Sequence, residues 1–301
     1  MLKIKRRPKD VNFIFMKKTK GEKAVHAVTF VIFFIYALSL LLPLLWLLVQ
    51  SFYNPKQYFI IMNKEGTLKF PSEWFFSNYS KAFSVLNYNH TNFFGMLFNS
   101  LWFIFLAETW CLIWPVITGY VFAKYAFKGR EVFHSVIIFT LTLPIMGTTG
   151  AMYKLIDVMN LFDTGPLFVM VTGVNAFTSS FLIYYGIFKG ISWSYAESVF
   201  IDGGGNNVAF FYVILPQAMP AISAMMVRAM IAHWNEYYQF LMYLPSTPTV
   251  ATGLYSISIQ NTVQKPLYYA GLVISIIPVM ILYSSMVGKM MKNLSIGGLK
   301  G

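Results

Sequence analysis

The stretch Ser192-Trp-Ser-Tyr-Ala-Glu197-Ser-Val-Phe-Ile-Asp202-Gly-Gly-Gly-Asn-Asn-Val-Ala-Phe-Phe-Tyr-Val-Ile-Leu215-Pro216 lies between two long apolar runs. Ser194 stands three residues before Glu197. That is the spacing of a capping box, in which each side chain bonds the other residue's backbone amide. A short helix is predicted from Ser194 to about Asp202. Gly203, Gly204 and Gly205 end it, because glycine enters left-handed backbone geometry without a Cβ clash. Val208 to Leu215 predicts a second short helix, stopped at Pro216. The expected product is a helix–turn–helix presented on one face of whatever the apolar runs build.

Those runs set the solvent. The chain has 301 residues, of which 57% are apolar, 18% aromatic and only 11% charged. A soluble domain carries about 25% charged residues, so this composition and a mean hydropathy of +0.58 point to lipid. A spanning helix needs about 20 mostly apolar residues. Stretches at about 27–49, 97–123, 133–153, 166–187, 219–243 and 268–288 qualify. The first resembles a secretory leader only superficially, being too long and lacking a small-x-small cleavage site, and is read as a retained span. Pro43 within it is tolerable in a membrane helix.

Nine of the 23 Lys and Arg residues precede Val25. With the N-terminus inside, the cytoplasmic segments hold sixteen of these cations and the outer segments six. The bias predicts both termini inside. A net charge of +12 gathered beside a membrane segment addresses topology and anionic lipid rather than nucleic acid. The resulting organisation is a basic tail at 1–24 and a six-helix domain at 25–301. That domain has a long outer loop at about 51–92, the cytoplasmic loop at about 190–218 and a C-terminal tail at about 289–301. The outer loop is rich in aromatics (Trp74, Phe75, Phe76, Tyr79, Tyr88), read as an interfacial belt, with a docking surface as the alternative.

The 192–216 segment resembles the coupling loop of the transmembrane subunits of binding-protein-dependent ABC importers. That pattern is Glu-Ala-Ala, three residues, Gly, nine residues, Ile-x-Leu-Pro. Glu197, Gly203, Val213, Leu215 and Pro216 fall at its spacing, with Asp202 ahead of the glycine as in the sugar branch. Ser198 and Val199 replace the two alanines, and Val213 the isoleucine. Three further segments look like the family's in the same order: Phe122 to Arg130, Trp234-Asn-Glu-Tyr237 and the Leu294–Gly301 tail. The sharper likeness is to the smaller maltose-type permease subunit.

The resemblance implies an all-α membrane protein with six transmembrane helices and a cytoplasmic coupling helix, the type I ABC importer permease fold. It implies an importer of sugar, an oligosaccharide by its likeness to the permeases for complex sugars, in a bacterial cytoplasmic membrane. Partners would be a second homologous permease, an ATPase dimer and an extracytoplasmic sugar-binding protein. ATP and Mg would sit on the ATPase, with no cofactor on this chain. The residues implied to engage the ATPase are Ala196, Glu197, Ser198, Asp202, Gly203, Leu215 and Pro216.

Polar residues inside apolar spans are costly and mark cavities or partners. Asn235, Glu236 and Gln239, set among Trp234, Tyr237 and Tyr238, combine hydroxyl-binding groups with aromatic faces and are candidates for the sugar pathway. The competing role is a helix–helix hydrogen bond. Glu108 is assigned a structural role with Thr109, and His134 and His233 packing roles. The sole cysteine, Cys111, behaves as a small apolar residue. No cysteine or histidine cluster of metal-ligand spacing occurs, and no convergent nucleophile, acid and base suggests an enzyme. The Gly203 run lacks the Gly-Lys-Ser/Thr of a phosphate loop. Asn78, Asn89 and Asn293 open Asn-x-Ser/Thr triplets, which are frequent by chance. Two alternatives remain open: the same architecture for a non-sugar solute, and an ion-driven transporter. The latter class tends to show inverted repeats and paired broken helices, neither of which the sequence reveals.

Overall fold

The computed structural model describes residues 19–65, 70–143, 147–260 and 264–297. The basic residues before Thr19 and residues 298–301 of the C-terminal tail lie outside them, and from 286 to 297 only the helical backbone is described.

Helix α1 (Lys20–Gln50) continues through Pro43. The described residues up to Val49 belong to one compact unit and those from Gln50 onward to another. Thr19 opens α1 with a reciprocal cap, in which its amide donates to Glu22 Oε2 at 2.8 Å and the Glu22 amide to Thr19 Oγ1 at 3.3 Å.

In the second unit the outer loop is folded rather than open. It holds α2 (Tyr58–Glu65), α3 (Ser77–Val85) and a hairpin of β1 (Asn87–Tyr88) and β2 (Thr91–Asn92). The strands pair antiparallel with Asn87 opposite Asn92 and Tyr88 opposite Thr91. Asn89 and His90 take φ of +47° and +63°. Two left-handed residues in a two-residue turn match the twist of the flanking strands. Buried Asn78 donates to the carbonyls of Ser51 (2.7 Å) and Tyr53 (2.9 Å), fixing α3 to the chain that enters the loop.

Asn92 caps α4 (Phe93–Lys124), its Oδ1 accepting from the Gly95 amide at 2.9 Å. This helix is the spine of the unit. Phe93, Met96 and Ile104 join a core with α3, α11 (Leu215–Trp234), α13 (Val250–Ile259) and α14 (Lys265–Gly297). Phe103 and Ala107 join a second with α6 (Thr148–Val158), α7 (Pro166–Thr172) and α12 (Tyr238–Tyr243). Val116 and Tyr120 join a third with α8 (Ser179–Gly190), α9 (Ser194–Ile201) and the start of α11. At Gly119 the approach of α4 to α8 is so close that a Cβ would lie 2.9 Å from Tyr184 Cβ and 3.0 Å from the Tyr185 amide nitrogen.

Among the described residues, four helical stretches are long and apolar enough to cross a membrane: Gly21–Gln50, Phe93–Lys124, Asn206–Trp234 and Lys265–Ser285. They match four of the six predicted spans. The other two predicted spans are interrupted. The 133–153 stretch divides into α5 (Arg130–Thr142) and α6. Leu143, just before Pro144, turns extended with ψ of 125°, as a pre-proline residue does. Thirteen residues of α5 reach only about 20 Å at 1.5 Å per residue, short of a core about 30 Å thick. The 166–187 stretch divides at Gly173 to Thr178. The predicted 219–243 span likewise breaks after Trp234, before α12. Interrupted helices are therefore present, contrary to the sequence reading, which found none.

Candidate functional site

The coupling segment has the predicted helix and the predicted glycine stop, by different local chemistry at each end. Helix α9 begins at Ser194, and Trp193 before it already has helical dihedrals. The capping box does not form. Ser192 takes its place, its Oγ accepting from the Ser194 amide at 3.3 Å and lying 2.7 Å from Ser194 Oγ. At the far end Gly203 has φ of +83°. Its amide donates to the Phe200 carbonyl (3.1 Å) and the Gly204 amide to the Val199 carbonyl (2.8 Å). This pair of bonds is the Schellman motif, which satisfies carbonyls a helix end leaves free.

Pro216 does not stop the next helix, as the sequence reading expected. Helix α10 (Asn206–Val208), a π-helical stretch Ala209–Ile214 and α11 run without interruption to Trp234. Pro216 is the second residue of α11 but falls inside this continuous run, where its missing N–H removes one helical bond. The π stretch moves the Leu215 amide onto the Phe210 carbonyl, and Gln217 Nε2 donates to the Val213 carbonyl at 3.0 Å. Together they absorb the proline.

The segment has an anchored face and an open one. Ala196 is buried in one core cluster with Tyr120, Phe188, Phe210 and Ile214. It therefore anchors the helix rather than presenting itself to another chain. Glu197, Ser198, Asp202, Gly203 and Pro216 are exposed and Leu215 is half-buried. The open face also carries apolar groups that the sequence reading passed over, chiefly Ile201 at 85% and Tyr212 at 78% exposure. Tyr195 is exposed beside them. The C-terminus of α4 is tied to this segment. Lys124 Nζ donates to the Ile191 carbonyl at the end of α8. The Tyr125 hydroxyl donates to Asn206 Oδ1 at 3.2 Å, and its ring meets Trp193 edge-on.

The same α4 helix borders a cavity of about 560 Å³ toward its other end, with α6, α7, α8, α11 and α12 completing the wall. That volume lies within the range of about 300–1,000 Å³ usual for small-ligand sites. The wall includes the α7–α8 interruption and flanks the one between α11 and α12. Where α7 gives way to α8, α4 side chains bond the exposed backbone. Trp110 Nε1 donates to the Met170 carbonyl (2.8 Å) and Thr118 Oγ1 to the Ala176 carbonyl (2.9 Å). Non-helical backbone at membrane depth is tolerated where protein satisfies it or where it lines a cavity, and here both hold.

Of the sequence's pathway candidates, Gln239 lines the cavity. Asn235 and Glu236 shape the break that brings it there. Asn235 Nδ2 donates back to the Ile231 carbonyl at 2.8 Å. Glu236 Oε1 accepts from the Gln239 amide at 3.0 Å and so caps α12, while the Glu236 carbonyl accepts from Thr249 Oγ1 at 3.1 Å. Thr109 bonds the Phe105 and Leu106 carbonyls of its own helix rather than Glu108. Glu108 instead faces the cavity, with His233 Nε2 at 4.0 Å from its Oε1. His233 also packs edge-on against Phe103, and His134 lies tilted against Tyr185.

A multi-pass helical unit with a cavity between broken helices, joined by one continuous helix to a projecting helix, is the architecture of a membrane transport component. The chain belongs to the family described as "Binding-protein-dependent transport system inner membrane component", whose model matches residues 115–292. Relatives include the diacetylchitobiose uptake system permease NgcG of Streptomyces coelicolor, 24% identical over 87% of this chain and 85% of its own length. The arabinooligosaccharides transport system permease AraQ of Halalkalibacterium halodurans is 26% identical over 86% of this chain and 91% of its own. In fold the chain is similar to a subunit of a bacterial ABC transporter involved in import of the acidic polysaccharide alginate. The TM-score is 0.72 at 21% identity, covering 91% of this chain and 99% of that one. The chain therefore has the importer permease fold and functions in transport.

Proposed function

We propose that the chain is one permease subunit of an ATP-driven oligosaccharide importer, lining half of the translocation pathway and coupled to a separate ATPase through residues 192–216. The observation that carries this reading is the open face of the coupling segment. Ile201 and Tyr195, on the projecting α9 outside the stretches apolar enough to cross a membrane, are exposed, and apolar groups in that setting call for a protein surface. Gly203 sets the angle at which they stand, and Ala196 seats the helix on Tyr120 and Phe210, so a displacement of α9 is carried into α4. Small shifts at one end of a packed element become rigid-body movements at the other.

The remaining partners are a second, homologous permease, an ATPase dimer and an extracytoplasmic sugar-binding protein. The location is a bacterial cytoplasmic membrane with both termini inside, in keeping with the distribution of Lys and Arg. Sugar is the assigned cargo because permeases for diacetylchitobiose, arabinooligosaccharides and sulfoquinovosyl glycerol are among the relatives. ATP and Mg belong to the ATPase. The Trp-Asn-Glu break supports the same cargo by bringing Gln239, Tyr238 and Tyr243 to the cavity wall.

The interrupted helices favour one second reading, an ion-driven transporter, since that class also builds sites from broken helices. Gentle purification of the tagged chain from its host, with mass spectrometry, separates the two. Copurification of a second permease and an ATPase is expected, with the ATPase lost in Gly203→Pro, because proline cannot adopt a φ of +83°. A chain that purifies alone, with no ATPase, sinks the importer.

A further inference from the structure

Glu108 lies in the middle of α4 and is only 8% exposed, yet its Oε1 has no hydrogen-bond partner among the described residues. His233 Nε2, at 4.0 Å, stops short of a hydrogen bond. Arg228, on α11, lines the same cavity and acts on Glu108 through its charge. Its guanidinium likewise has no hydrogen bond or ion pair among the described residues. A buried carboxyl oxygen without a partner at membrane depth is expensive, whereas Arg228 is exposed. Such a carboxyl persists where something else completes it, and Arg228 brings the donors to the same wall.

We infer that Glu108 and Arg228 form a hydroxyl-binding subsite for a neutral sugar, which rests on the importer reading above. An ionised carboxylate only accepts hydrogen bonds, and a guanidinium only donates them. A sugar hydroxyl does both, so adjacent hydroxyls on one ring satisfy the two groups together. Tyr238, on the same wall and 43% exposed, offers aromatic surface for the ring's CH face. The two formal charges cancel. An acidic sugar that met Arg228 with its carboxylate would bring that charge beside the Glu108 carboxylate as well, which disfavours it.

Cys111 provides the readout. It is the chain's sole cysteine, lies one turn from Glu108 and lines the same cavity. The full complex, with any cysteines of its other subunits replaced, would be treated with methyl methanethiosulfonate. Neutral arabino-, malto- and chitooligosaccharides would be compared with oligogalacturonate. At least one neutral sugar is expected to slow Cys111 modification and oligogalacturonate to leave it unchanged. The concentration giving half-protection should rise about ten-fold or more in Glu108→Ala, matching loss of a charge-assisted hydrogen bond, and less in Glu108→Gln, which keeps one acceptor. Copurification of both variants with the partner subunits checks their folding. Protection by oligogalacturonate alone, protection by none of the sugars, or half-protection in both assembled variants within two-fold of the unsubstituted complex overturns the subsite. If the unsubstituted chain assembles no ATPase complex, it is the importer that fails.

Discussion

Replacing Gly119 with alanine tests whether the α4–α8 contact is the joint on which the coupling segment hangs. The added Cβ would lie 2.9 Å from Tyr184 Cβ, 3.0 Å from the Tyr185 nitrogen and 3.1 Å from the Tyr184 carbonyl carbon. Comfortable carbon contacts are about 3.5–4.0 Å, so the helices must part by roughly half an ångström or more. None of the three atoms is the far end of a flexible side chain, so local repacking cannot relieve the clash. Overpacking of this kind costs about 1–3 kcal/mol. The strain falls beside the contact of Tyr120 with Phe188 and Phe210, which seats α9. Gly186→Ala is the control. It lies on the same α8 helix, where an added Cβ would meet nothing within 4 Å, and alanine should add about 0.5–1 kcal/mol of helix stability there. The assay is thermal inactivation of the detergent-purified complex, followed by transport in proteoliposomes. Gly119→Ala should lower the midpoint and reduce transport more than ATP hydrolysis, while Gly186→Ala should do neither. A Gly119→Ala complex as stable and as well coupled as the unsubstituted one would refute the close-contact argument.

Gly203→Ala should cost about 1–2 kcal/mol through its left-handed backbone, and Gly203→Asn less, because asparagine tolerates that region; ATPase retention on affinity resin should rank glycine, asparagine, alanine, proline. Tyr125→Phe removes the hydroxyl that bonds Asn206 but keeps the ring against Trp193. It should weaken the tie by about 0.5–1.5 kcal/mol, seen as a lower ratio of sugar transported to ATP hydrolysed. Asn78→Ala removes two hydrogen bonds to the buried Ser51 and Tyr53 carbonyls, at a cost of about 1–3 kcal/mol. Faster proteolysis within the outer loop should report it.

Local chemistry is legible in the sequence where one residue decides it. Gly203 can be placed because a helix followed by three glycines has few other endings, and the Schellman bonds bear that out. The cap expected at Ser194 falls elsewhere because serines at 192 and 194 both fit one, and only the helical dihedrals of Trp193 decide between them. Pro216 reads as a stop, yet a π stretch upstream, which no residue pattern announces, can absorb a missing amide. Hydropathy locates all six apolar stretches but not their breaks. Where α7 gives way to α8, Trp110 and Thr118, some sixty positions earlier, satisfy the Met170 and Ala176 carbonyls. A window average cannot register a bond of that range. The cavity is hidden for the same reason. Asn235 and Glu236 look like ligands in sequence, yet they spend their polar groups on the break after Trp234. Glu108, which reads as a helix-packing group, has an Oε1 with no hydrogen-bond partner among the described residues. In a membrane span the functional polar residue is the one whose local hydrogen bonds do not close, and that accounting can be made only after the fold has brought α4, α7, α11 and α12 together.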